Sequence, residues 1–143
     1  MVTRVQAVYG IDAGLQVLLP LFLAPVPAGF PSPADDFVEK KLDLNEHLIR
    51  HPAANFFVKA FGHSMIGAGI HSGDLLIVDR SLEPTNGSVV VAVIDGELTV
   101  KRLRLAAGRA VLAPENSDFT PLTIGEEARF EVWGVVTNVI HPM

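Results

Sequence analysis

Residues 88–105 read S-V-V-V-A-V-I-D-G-E-L-T-V-K-R-L-R-L, two runs of strand-forming residues joined by Asp95-Gly96. A type I′ turn needs positive φ at both central positions, and Asp-Gly supplies it at low steric cost, so this stretch predicts a β-hairpin. The hairpin sets the fold class. Around it, "ANFFVKAFG" (54–62), "DLLIVDR" (74–80), "RAVLAP" (109–114) and "ARFEVWGVVTNVI" (128–140) repeat the pattern of Val, Ile, Phe and Thr bounded by Gly, Pro, Asn and Asp. The expected fold beyond Pro52 is therefore a compact, mainly β domain. Just upstream, "FPSPADDFVEKKLDLNEHLIRHP" (30–52) offers Ser32 as an N-cap, Pro33 at a first helical position and Pro52 as a stop, which predicts one or two short helical pieces.

At 143 residues and 49% hydrophobic content, the chain is one domain's worth and can bury a core without staples. It has no cysteine, so disulfides and thiolate metal sites are excluded, in keeping with a reducing compartment. Its net charge of −5 gives no footprint for phosphate, so direct nucleic-acid binding is not expected. The apolar run "LQVLLPLFLA" (15–24) is too short to cross a bilayer, which argues against a membrane anchor. It leads into "APVPAGF" (24–30), where Val26 and Ala28 precede Gly29 as in a signal-peptide cleavage site. That match is poor: Arg4 is opposed by Asp12, and Pro20 interrupts the run. Two agents can therefore be imagined for a cut at Ala28-Gly29, another protein or the chain itself.

The second arm of the hairpin bears on that choice. Side chains alternate along a strand, so Thr99, Lys101, Leu103 and Leu105 share one face, and Val100, Arg102 and Arg104 the other. If the leucine face is the core side, the Lys101 ammonium is desolvated and its pKa falls, which suits a general base. The alternative is that Lys101 snorkels to water with only its methylenes covered. Ser64, in "FGHSMIGAGIHSGDLLIVD" (61–79), follows a strand-like run and has Gly62, Gly67 and Gly69 around it. Such glycines permit a tight path that exposes Oγ and aims the N–H groups of Ser64 and Met65 at a developing oxyanion. A serine needs a base, and lysine is one recognised partner.

Together these residues resemble a known family. "GHSMIGAGIHSGDLLIVDR", with Lys101 in "DGELTVKRL" 37 residues after Ser64, is similar to the self-cleaving Ser-Lys peptidase domain shared by LexA-type repressors and UmuD proteins (peptidase S24). The resemblance runs from about "PLFLAPVPAGFPSPADDFVE" to "FEVWGVVTNVI" and is nearest UmuD. Only 28 residues precede Gly29, too few for a winged helix-turn-helix, and "GFPSPADDFVE" follows the UmuD pattern. It implies a LexA-type β domain over residues 29–143 and an arm, residues 1–28, removed by cleavage. It also implies Ser64 as nucleophile, Lys101 as neutral base and Ala28-Gly29 as the bond cut, with no cofactor and no metal. The implied setting is a cytoplasmic homodimer in the SOS response. Cleavage would be stimulated by the RecA filament on single-stranded DNA, and the product would be an accessory subunit of a UmuC-like error-prone Y-family polymerase. Two details depart from the pattern: Gly67 stands where many relatives carry Asp, and Ala28 replaces the Cys of the best-known UmuD in favour of the LexA-like Ala-Gly junction.

The histidines suggest blander roles. His63 neighbours Ser64 but points the other way on extended backbone, and His47 and His51 lack the Glu of H-E-x-x-H, so all three read as solvent-facing. Two other classes stay open: a signal-peptidase-like enzyme cutting in trans, and a β-rich interaction module that keeps the motif without using it.

Overall fold

The Asp95-Gly96 turn is as the sequence predicts. Its φ values are 48° and 83°, and it joins β6 (Val89–Ile94) to β7 (Glu97–Ala106) with Ile94 opposite Glu97. The structure is a computed structural model describing residues 2–10, 18–22, 38–119, 121–123 and 130–143. Its larger unit runs from the amino terminus to Ile11 and from His51 to Met143. Besides the hairpin it contains β1 (Arg4–Tyr9), β4 (Asn55–Phe61), β5 (Leu75–Asp79), β8 (Arg109–Ala113), β9 (Leu122–Thr123) and β10 (Phe130–Ile140).

All pairings are antiparallel, in the order β1-β4-β5-β10-β6-β7-β8-β9. β1 also pairs with β7 through Arg4 and Thr99, so six strands close into a barrel. Residues 4–9, expected to lie in an irregular arm, thus supply the closing strand. Closure satisfies backbone groups that an open edge would leave unpaired. The barrel core contains Val58, Ala60, Met65, Ile70, Leu76, Val78, Val91 and Val100. A second apolar cluster, Val90, Ala92, Leu103 and Leu112, is built from the alternate positions of β6 and β7 with Leu112 of β8. β7 is therefore buried on both faces near its middle. The single core face inferred from the leucines is corrected accordingly: Val100 faces the barrel core, and Leu103 belongs to the second cluster.

The smaller unit, Asp12–Arg50, pairs β2 (Leu18–Phe22) with β3 (Val38–Asp43) and continues into α1 (Leu44–Leu48). The N-cap of this helix is Asp43, whose side chain accepts from Asn45 N at 3.0 Å. Ser32 and Pro33 lie outside the described residues. Among the described residues no helix is long and apolar enough to cross a membrane.

One turn carries a removable strain. β7 and β8 are joined by Ala107-Gly108 with φ of 50° and 74°, and an L side chain in the left-handed region costs about 1 kcal/mol. Ala107→Gly is predicted to stabilise the fold by about 1 kcal/mol, read as a higher urea midpoint. An unchanged or lower midpoint would contradict it.

Candidate active site

Ser64 is set by a turn forced by close approach. After β4 the chain bends at Gly62, where φ is 110° and a Cβ would sit 2.4 Å from the carbonyl oxygen of Val2. The bend leaves His63 exposed, as expected, but buries Met65 and also Ser64, whose Oγ was expected to be exposed and is instead covered by Thr3. A 3-10 turn, Ile66–Ala68, follows, with Met65 O accepting from Ala68 N and Ile70 N at 3.0 and 3.2 Å. From behind, Glu115 N donates to Ser64 O at 2.7 Å and Gly67 N donates to Glu115 O at 2.6 Å. A Cβ on Gly67 would lie 2.6 Å from that same carbonyl, so the glycine permits this contact. Asn116 Nδ2 adds a bond to His63 O at 2.9 Å. The Glu115 carboxylate pairs with Arg102 of β7, and with Arg104 at 3.4 Å. The serine turn is thereby stapled to the strand that carries Lys101. Neither Glu115 nor Asn116 carries a sequence signal for this role.

Lys101 sits opposite Val90 in the β6–β7 register, beside the second apolar cluster. The residue is 7% exposed, and among the described residues its ammonium makes no hydrogen bond or ion pair. Burial alone pushes its pKa below the ordinary lysine range. Of the two sequence readings, desolvation holds and snorkelling does not.

Ser64 and Lys101 are not hydrogen-bonded to each other. The link between the serine turn and β7 is Thr3. Its N–H donates to Ser64 Oγ at 2.6 Å, and its carbonyl accepts from Thr99 Oγ1 at 3.1 Å and Val100 N at 3.2 Å. Val2 and Arg4 join Ile94, Asp95, Glu97, Thr99 and Lys101 in lining a cleft of about 440 Å³. Among the described residues neither Ser64 N nor Met65 N donates a hydrogen bond, and the buried Thr3 Oγ1 has no partner. Ala28 and Gly29 lie outside the described residues. His47 and His51 are both exposed, as expected, and His51 Nδ1 also meets buried Asp79 at 2.6 Å.

The closed antiparallel barrel brings a buried serine on a stapled turn and a buried lysine, uncompensated among the described residues, to the two sides of Thr3. Residues 20–137 match the Peptidase S24-like family, and the chain belongs to that family, on its UmuD-like side. It is 50% identical over 127 residues to Protein SamA of Salmonella typhimurium, covering 89% of this chain and 88% of that one. It is 45% identical over 128 residues to Protein MucA of Escherichia coli, covering 87% of each. It is 39% identical over 140 residues to the LexA repressor of Bordetella petrii, covering 97% of this chain and 62% of the repressor.

The desolvated lysine opposes folding at neutral pH, so Lys101→Met is predicted to raise the thermal midpoint there. Between the lowered folded-state pKa and the ordinary lysine value the unfolded chain holds more protons, so the wild type gains stability as pH rises. The gap between the two proteins should narrow toward alkaline pH. A variant less stable than wild type at neutral pH would show the ammonium to be held by an attraction.

Proposed function

We propose that this chain is a self-processing mutagenesis protein of the SOS response that cuts its own Ala28-Gly29 bond with Ser64 and Lys101. The observation that carries the reading is the buried lysine, without a counter-charge among the described residues, beside a slot that holds an extended segment of the same chain. Neutral Lys101 takes the Ser64 Oγ proton as Oγ attacks the Ala28 carbonyl carbon. The oxyanion is met by the free N–H groups of Ser64 and Met65. Collapse breaks the C–N bond, the Gly29 amine leaves with the proton from Lys101, and water then releases Ala28 from Ser64. Small side chains at Ala28 and Gly29 let the carbonyl approach to attack range.

Residues 2–4 occupy the position the scissile segment needs, so cleavage begins with their departure. The buried, unpaired Thr3 hydroxyl costs about 1–3 kcal/mol, which favours exchange. Stimulation by a RecA filament on single-stranded DNA then has a definite target, the exchange of one segment for another. The cut product remains a homodimer serving a UmuC-like polymerase in the cytoplasm. Residues 1–28 are its removable segment and 29–143 its working domain. Because Val5 to Tyr9 of β1 pair with β4, the freed segment stays associated until that pairing is lost.

Intact-mass measurement of the incubated protein from neutral pH to about 10 tests the reading. A fragment beginning at Gly29 should form faster as pH rises and be absent in Ser64→Ala and Lys101→Ala. A chain that stays whole at every pH, with and without activated RecA filament, would leave only an interaction module. A cut that persists in both variants would place the agent outside the chain. Thr3→Pro removes the N–H that holds Ser64 Oγ, and cleavage should rise several-fold; a slower reaction would show that Thr3 does not compete for the slot.

A further inference from the structure

Three side chains outside the slot converge where β10 ends beside the start of β5. The register sets Ile140 opposite Leu75, which brings His141, just past β10, to Asp74, just before β5. His71 joins them through a tight turn: its N–H donates to Asp74 Oδ2 at 2.8 Å, Asp74 N donates to His71 O at 3.1 Å, and Gly73 has φ of 94°. Asp74 is 1% exposed, and both imidazoles are about half exposed. His141 Nδ1 lies 2.5 Å from Asp74 Oδ1, and His71 Nδ1 lies 3.7 Å from Asp74 Oδ2. The two rings are side by side with centroids 4.8 Å apart.

We propose that His71 Nδ1, the Asp74 carboxylate and His141 Nδ1 form a binding site for a first-row divalent cation, with Zn²⁺ the best fit. One donor atom from each residue lies within 4.8 Å of the other two. At 3.7 Å the His71–Asp74 contact is too long for a hydrogen bond. It is close to the ~3.4 Å that separates two ligands on a tetrahedral ion with bonds of ~2.0–2.1 Å. The His141–Asp74 contact opens by about 1 Å to match, within reach of a rotation of a half-exposed ring. Two imidazoles and one carboxylate suit Zn²⁺ and its first-row neighbours, whereas Mg²⁺ and Ca²⁺ prefer all-oxygen sites. A carboxylate this deeply buried gains from a cation, and the half-exposed rings leave the outer side open for water to complete the coordination. The ion would clamp the end of β10 to the turn before β5. This inference does not depend on the self-cleavage reading.

The test uses the untagged full chain, stripped with EDTA and titrated with ZnCl₂ against a chromogenic chelator. The expected result is one Zn²⁺ per chain, at least about tenfold weaker binding in His71→Ala and in His141→Ala, and none in the double variant. The thermal midpoint should rise with Zn²⁺ in the wild type and stay put in the double variant. Circular dichroism without metal shows that the variants fold; Asp74 is left intact because it also caps the turn. Failure of the wild type to bind, or unchanged one-to-one binding in the folded double variant, would overturn the site.

Discussion

The structure depends on β1 pairing with two strands at once. Its register with β4 and its single pairing with β7 close the barrel, and that closure draws Thr3 between Ser64 and the Thr99 hydroxyl and Val100 N–H of β7. Fold and site therefore rest on one set of hydrogen bonds. The arrangement also shows how an extended segment can be held: its carbonyl by a β7 hydroxyl and N–H, its own N–H turned to the serine.

A second constraint acts through burial. Lys101 is placed beside Val90 and Leu103, and among the described residues nothing balances its charge, which opposes folding and lowers its proton affinity. An ion pair would stabilise the charged form and hold the pKa up. Two acids of this region are paired with arginines, Glu115 with Arg102 and Arg104, and Glu97 with Arg4. The same Glu115 holds the serine turn through its backbone, so one residue keeps the loop in place while its charge is spent on the arginines.

Local signals were the legible part of this sequence. Asp95-Gly96 specified its turn because φ is a property of two residues, and alternation placed Lys101 with Leu103 because a strand has period two. What stayed hidden depends on distant partners. Residues 4–9 form a strand because β4 and β7 offer edges, and the short alternation in "RVQAVY" does not say which edges it meets. Ala107-Gly108 adopts a turn that alanine disfavours, imposed by the pairing of β7 with β8. His141 meets His71 and Asp74 through the β10–β5 register, so neither neighbourhood alone suggests a cluster. The chemistry of Ser64 and Lys101 was suggested by residue type and separation; Thr3, which links the serine turn to β7, was not.

The central claim is that the slot now holding Thr3 accepts Ala28-Gly29. A chain without cysteine allows a direct measurement: the variant Ala28→Cys/Ser64→Cys under mild oxidation, with Thr3→Cys/Ser64→Cys as the reference pair. A disulfide needs Cα atoms within about 7 Å, so bond formation reports occupancy of the slot. The account predicts a crosslink in both pairs, with the Ala28→Cys yield raised when Thr3→Pro is added. A reference pair that closes while the Ala28→Cys pair stays reduced, with and without Thr3→Pro, would contradict it.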